Sequence, residues 1–256
     1  MSGAVLCLSG VQTRIGAYHI LHGVDLTVPA GCVLMLLGRN GAGKTTCVRT
    51  IMQHWRACAG SVRFDGHDLG ALTPSAVAHL GVAYVPENMG IFSDLTVRDN
   101  LLLAARSART VAQIDRTRLA RIFSHFPALE RFWLTPAGSL SGGQKQMLAV
   151  ARALIERRRL LLIDEPSKGL APAIVETLIT ALAEARAEGT TILMVEQNLG
   201  VARRLGDHCA VMDQGRIVHQ GTMAAFSADP ALQARLLGFT LGSGGHSAEG
   251  MHGFAA

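Results

Sequence analysis

The chain has 256 residues, 49% of them hydrophobic, and carries 24 Lys and Arg against 19 Asp and Glu for a formal charge of +5. That length buries a substantial core without disulfide or metal staples, and its longest apolar runs, residues 32–37 and 101–105, are far shorter than a membrane span, so a soluble protein is expected. The basic residues are spread along the chain with one compact run at Arg157 to Arg159, which argues against direct nucleic-acid binding.

The five cysteines (Cys7, Cys32, Cys47, Cys58, Cys209) form no CxxC pair and no even framework, so reduced thiols and a cytoplasmic setting are expected. Among the histidines only His19 and His22 lie close together, and no Cys, Asp or Glu completes a metal set around them.

The first residues, MSGAVLCLSG, lack a positive leading region, and Leu6 directly before Cys7 spoils a lipoprotein-type cleavage site, so a first β-strand is expected. Residues 24–28 alternate in the manner of a half-buried strand, as do residues 61–64. Residues 33–37, 160–163 and 191–195 are instead short continuous apolar runs, which predict buried parallel strands. Helical spacing appears at Val48, Ile51 and Met52, then at Met147, Val150, Ala151, Leu154 and Ile155, and again at Ile174, Val175, Leu178, Ile179 and Leu182. Strand and helix take turns, which predicts an α/β fold.

Between residues 96 and 126 the pattern becomes helical. Thr96 with Asp99 can cap a helix carrying Leu101 to Leu103, and Leu119, Ile122, Phe123 and Phe126 continue a second helical face until Pro127. From about Thr240 the composition turns to Gly, Ser, His and Ala, which predicts a loose tail over residues 241–256.

Three motifs carry chemistry. Residues Gly38, Arg39, Asn40, Gly41, Ala42, Gly43, Lys44, Thr45 and Thr46 form a GxxxxGK[ST] phosphate-binding loop between an apolar strand and an amphipathic helix, the context that motif requires. Its glycines let backbone N–H groups wrap a phosphate at a helix N-terminus, Lys44 suits the β and γ phosphates, and the Thr45 hydroxyl suits Mg2+. The run LLLIDEP (160–166) places two adjacent carboxylates at a strand's C-terminal end, with Asp164 suited to the Mg2+ shell and Glu165 to the attacking water. In LSGGQ (140–144), Ser141 and Gln144 make a capping box, and the same glycine-bearing helix start is also an anion site.

Taken in this order, the motifs resemble the ATP-binding-cassette (ABC) ATPase family from about residue 5 to 235. The resemblance implies a P-loop NTPase fold: one domain over residues 1–240, with a RecA-like core at about 1–87 and 156–240, an antiparallel β subdomain, and an inserted α-helical subdomain at about 88–155. It also implies ATP and Mg2+ as cofactors, and a role in trans for Ser141, Gly142 and Gly143 on the γ-phosphate held by a partner's P-loop, with Gln144 beside them in the nucleotide-binding set.

The linking segments YVPENMGIFSDLTV (84–97), EPSKGLAP (165–172) and VEQN (195–198) are similar to those in the ATPases of branched-chain amino-acid uptake systems. That likeness implies uptake of branched-chain or related amino acids, or of amides or urea. It implies two integral membrane permease subunits, a head-to-tail dimer with a second related ATPase or a second copy, and an extracytoplasmic substrate-binding protein. The site would be the cytoplasmic face of the inner membrane, held peripherally.

Several positions depart from the wider family. Glu87 stands where Gln is usual and Gln197 where His is usual, bringing a carboxylate and a neutral amide near the γ-phosphate. Glu87, Glu165 and Gln197 thus form the expected catalytic set, and Thr45, Asp164 and Glu87 the expected metal shell. Ile15 occupies the place of the adenine-stacking aromatic, with Tyr18 three residues on, and no Asp occurs in the loop 167–170. Two other readings stay open: a nucleotide-binding regulatory half whose partner turns over, favoured by Gln197 and Ile15, and a soluble ABC ATPase acting on DNA or ribosomes. The latter would need a second cassette, a coiled coil or a basic arm, none of which is visible. Met89, Ile91 and Phe92 are apolar residues in a loop, expected either to be covered by the helical insertion or to line a groove for a helix of a membrane partner.

Overall fold

The computed structural model describes residues 3–238. A hairpin of β1 (Ala4–Ile15) and β2 (Tyr18–Pro29) opens the chain, and β3 (Val33–Leu37) leads through the phosphate-binding loop into α1 (Lys44–Ile51). Next come β4 (Ala57–Phe64), β5 (His67–Asp68), α2 (Pro74–His79) and β6 (Val82–Val85). Four helices follow in succession: α3 (Val97–Ala104), α4 (Arg116–His125), α5 (Pro127–Arg131) and α6 (Gly142–Leu154). Then β7 (Leu160–Asp164), α7 (Pro172–Ala187), β8 (Thr191–Val195), α8 (Leu199–Leu205) and β9 (His208–Asp213) alternate, before β10 (Arg216–Thr222), α9 (Met223–Ser227) and α10 (Pro230–Leu237).

The strands form an antiparallel sheet ordered β2-β1-β4-β5 and a second sheet ordered β10-β9-β3-β8-β7-β6. In the second sheet β9, β3, β8, β7 and β6 run parallel, and β10 adds an antiparallel edge. The three continuous apolar runs are its neighbouring central strands, buried at every position. Alternation along these strands divides them between two cores. Val33, Met35, Leu37, Leu161, Ile163, Ile192 and Met194 face the helices α3 to α8. Leu34, Leu36, Leu160, Leu162, Leu193 and Val195 face the antiparallel sheet and α1. A strand covered on both faces has no polar side, which is why these segments read as unbroken apolar runs.

The residue-level expectations fare unevenly. Residues 24–28 and 61–64 are the regular ends of longer strands whose alternation is broken by register shifts between β1 and its two neighbours. Thr96 caps α3 by accepting from the Asp99 N–H at 3.1 Å. The second helical face ends before Pro127 as expected, with α4 stopping at His125, and Pro127 also occupies the first turn of a further helix, α5, where its missing N–H costs nothing. The tail expected over 241–256 lies outside the described residues. Among those described, no helix is long and apolar enough to cross a membrane.

Candidate functional site

The parallel strands deliver their C-terminal ends to one edge of the sheet. The phosphate-binding loop leaves β3, Asp164 and Glu165 end β7, Glu196 and Gln197 follow β8, and Glu87 follows β6. A cavity of about 350 Å³ at this edge is walled by Ile20, Asn40, Gly41, Gly43, Lys44, Thr45, Thr46, Glu87, Glu165 and Lys168.

Glycine is required at the start of the loop. Gly38 has φ +148°, and a Cβ there would lie 2.2 Å from the Met212 carbonyl oxygen. Gly43, at φ +105°, is the N-cap of α1; it supplies no side-chain cap, and no acidic residue occupies the first turn. The amides at this helix start are therefore left for an external acceptor, and the helix dipole favours an anion.

Lys44 Nζ donates to the carbonyl oxygens of Gly38 (2.8 Å) and Arg39 (3.0 Å), with Glu165 Oε1 at 3.8 Å. Burial lowers its pKa from the ordinary ammonium value, while the nearby Glu165 and Asp164 carboxylates pull it back up. Thr45 Oγ1 donates to Asp164 Oδ1 at 3.2 Å. Asp164 is fully buried and its Oδ2 has no hydrogen-bond partner. Its pKa is raised, first by burial and then by the charges of Glu165 and Glu87, against the Thr45 hydrogen bond. A buried carboxylate oxygen without a partner, beside a threonine hydroxyl at a phosphate loop, fits Mg2+ held by few protein oxygens and by phosphate. Among the described residues no group of three or more His, Cys, Asp or Glu is placed to hold a metal ion.

Glu165 sits at φ +49°, and its N–H donates to the Val195 carbonyl oxygen at 3.0 Å, turning the chain out of β7 and pinning it to β8. Gln197 Nε2 donates to Asn40 Oδ1 at 2.6 Å and to Glu165 Oε1. Lys168 Nζ lies 3.5 Å from Glu165 Oε2 and donates to Glu87 Oε1 at 2.6 Å. That bond to Glu87 is the first cause of a raised Lys168 pKa. Asn40, Lys44, Thr45, Glu87, Asp164, Glu165 and Gln197, all expected from sequence, thus meet at one edge. Glu87 reaches it as the ion-pair partner of Lys168.

Arg39 takes a different place, beside Gly38, Glu196, Gln197 and Leu237 around a second cavity of about 180 Å³. Ala42 is buried under the antiparallel sheet. Ser141, Gly142, Gly143 and Gln144 are absent from the cavity walls. They open α6 with the reciprocal capping box expected: Ser141 N–H donates to Gln144 Oε1 (2.9 Å) and Gln144 N–H to Ser141 Oγ (3.3 Å). Gly143 backs onto Ile174 of α7, where a Cβ would lie 2.3 Å from Cδ1.

Sequence reasoning missed Ile20, Lys168 and Glu196. Ile20 walls the cavity on the β2 side, whereas Ile15 and Tyr18 close the β1–β2 hairpin and Tyr18 is 76% exposed. Lys168 had a visible signal, standing three residues after Glu165. Met89 and Ile91 both pack on the helical core, the Phe92 ring lies 4.8 Å beneath the Arg152 guanidinium, and Met89 also lines a third cavity, of about 750 Å³. Arg49, Trp55, Tyr84, Leu103, Arg106, Arg152 and Arg158 share its walls.

A family model described as ABC transporter matches residues 21–168, more than half of the chain. The branched-chain amino acid transport ATP-binding protein BraG of Pseudomonas aeruginosa is 37% identical over 91% of this chain and 100% of its own length. A probable branched-chain amino acid transport ATP-binding protein, LivF of Archaeoglobus fulgidus, is 35% identical over 80% of this chain and 86% of its own. Among solved structures, an ATP-binding subunit of an ABC transporter superposes with TM-score 0.79 at 28% identity, covering 89% of this chain and 94% of that one. An ABC transporter cassette in its ADP conformation gives 0.74 at 26%, covering 90% and 97%. With its phosphate loop, paired strand-end carboxylates and glycine-led α6, this chain belongs to the ABC transporter family as an ATP-binding subunit that hydrolyses ATP.

Proposed function

We propose that this chain energises the import of branched-chain or related amino acids across a membrane it does not itself span. Its similarity to BraG and LivF over most of their lengths supports that cargo class, and the geometry around Glu165 supports turnover at this chain's own site. In this reading the chain sits peripherally on the cytoplasmic face of the inner membrane. It pairs head to tail with a related ATPase or a second copy, beneath two permease subunits served by an external binding protein. The segment 88–155 is the helical subdomain between the two parts of the RecA-like core.

Lys44 exchanges its two loop carbonyls for phosphate oxygens when ATP enters, joined by the α1 amides that follow the loop. Thr45 Oγ1 and the partnerless oxygen of Asp164 would hold Mg2+, which would supply neutralisation of phosphate charge. Glu165 takes the water's proton. Gln197 holds one of its carboxylate oxygens and Lys168 the other, so the group is aimed before substrate arrives. Gln197 orients by donating without adding positive charge, and Lys168, balanced by Glu87, supplies the charge that histidine would otherwise bring. Ser141 with the amides of Gly142 and Gly143 completes the partner's site. The arginine-rich cavity beside Met89 receives a cytoplasmic helix of a permease subunit.

The observation that carries this reading is the pair of donors on Glu165. Glu165→Gln in the assembled transporter is expected to retain ATP binding and to lose about 10²-fold or more in phosphate release. Undiminished release would assign hydrolysis to the partner subunit and leave this chain a regulatory half.

A further inference from the structure

Glu196 is 2% exposed, and its carboxyl group collects backbone donors from two separate loops. Oε1 accepts from the Ser167 N–H at 3.2 Å, in the loop that follows Glu165. Oε2 accepts from the N–H groups of Gln197 and Asn198, each at 3.1 Å, in the turn between β8 and α8. The Glu196 N–H in turn donates to the Leu36 carbonyl oxygen at 3.3 Å, on the strand that feeds the phosphate loop. Asn198, directly after these donors, caps α8 by accepting from Gly200 and Val201.

We propose that Glu196 is a positioning residue for hydrolysis, which locks the loop after Glu165 to the turn carrying Gln197 so that Gln197 and Lys168 grip the two oxygens of Glu165 together. The two donors on Glu165 lie on different loops: Lys168 adjoins Ser167, and Gln197 adjoins Glu196 itself. Neither loop is regular structure, and the Glu165 residue between them sits at positive φ, a conformation that persists only when its surroundings over-determine it. Glu196 ties both loops through one side chain. A carboxyl group suits the task because both of its oxygens accept; a glutamine would turn an NH2 group toward one set of backbone N–H groups and release that loop. The inference rests on the proposed roles of Glu165 and Gln197.

The test is steady-state ATP hydrolysis by the assembled transporter carrying Glu196→Gln, Gln197→Ala or both. Glu196→Gln is expected to lower kcat about tenfold or more while the KM for ATP stays within about twofold, because phosphate contacts are untouched. Added to Gln197→Ala, it is expected to cost less than about threefold further, since residues acting as one unit are not additive. If Glu196→Gln fails to fold, Glu196→Asp, which keeps the carboxyl but is one methylene shorter, is expected to lower kcat with the same unchanged KM. Full additivity of the two changes overturns the proposal, as does a rise in KM matching the fall in kcat, or an unchanged kcat in the folded variant. Turnover that ignores Glu165→Gln overturns instead the catalytic reading on which it rests.

Discussion

Helices α1 and α6 both start at glycine-bearing loops and are finished in opposite ways. The first turn of α1 has no side-chain cap, and around it Asn40, Lys44, Thr45, Asp164, Glu165 and Gln197 are joined to one another by hydrogen bonds and ion pairs. The first turn of α6 is capped by Ser141 and Gln144, is exposed at Ser141 and Gly142, and backs onto α7 through Gly143. An uncapped N-terminus ringed by cations, a hydroxyl and carboxylates has the parts to hold and cleave a phosphoanhydride within one chain. A capped and exposed one has no such ring of groups around it and, in the proposed reading, serves a phosphate held by a partner chain. In the proposed reading the chain holds most of one site and a fragment of a second.

Lys44→Ala tests the first half of this contrast and carries the largest effect. Removing a charged donor from a buried phosphate site is expected to weaken ATP binding by the isolated chain about 10²-fold or more, read by calorimetric titration. Retained affinity would place the nucleotide elsewhere.

Ser141→Ala sharpens the second half. It is expected to leave ATP affinity of the isolated chain unchanged, to cost about 1 kcal/mol of stability through the lost cap, and to lower turnover about tenfold in the assembled dimer, in line with loss of one hydrogen-bond donor at a reacting phosphate. Loss of ATP binding equal to that of Lys44→Ala would merge the two regions into a single site within one chain. Wild-type activity already maximal at high dilution would do the same.

A smaller effect tests the electrostatics of the α1 side. Burial raises the Asp164 pKa, so the folded chain keeps that proton to higher pH than the unfolded chain does. Stability associated with the protonated form is therefore complete below the ordinary carboxylate range and is lost as pH rises through the raised value. Asp164→Asn, still able to accept from Thr45, is expected to raise Tm by a few degrees at pH 7 without Mg2+, and to give no gain below the ordinary carboxylate pKa. Scanning calorimetry at both pH values reads it, and an equal gain at each would remove the charge from the explanation.

Much of this was local enough to be written in contiguous residues. The apolar runs at 33–37, 160–163 and 191–195 became central strands because a strand buried on both faces shows no alternation, and the phosphate loop, the strand-end carboxylates and the Ser141 capping box each span fewer than ten neighbouring residues. Where short-range chemistry was masked, the reading fell short: register shifts along β1 hid most of the hairpin's pattern, and the helix that begins at Pro127 was not foreseen. Only the tertiary structure decided that Gln197 meets Asn40 across 157 residues, that Lys168 meets Glu87 across 81, that Ile20 and not Tyr18 walls the cavity, and that four arginines share a groove with Met89. The first two pairings follow from the strand order β9-β3-β8-β7-β6, which sets the ends of β3 and β8, and of β7 and β6, side by side. Periodicity records which face of a strand is buried, whereas the partner that meets its end depends on which strand lies next to it in the sheet.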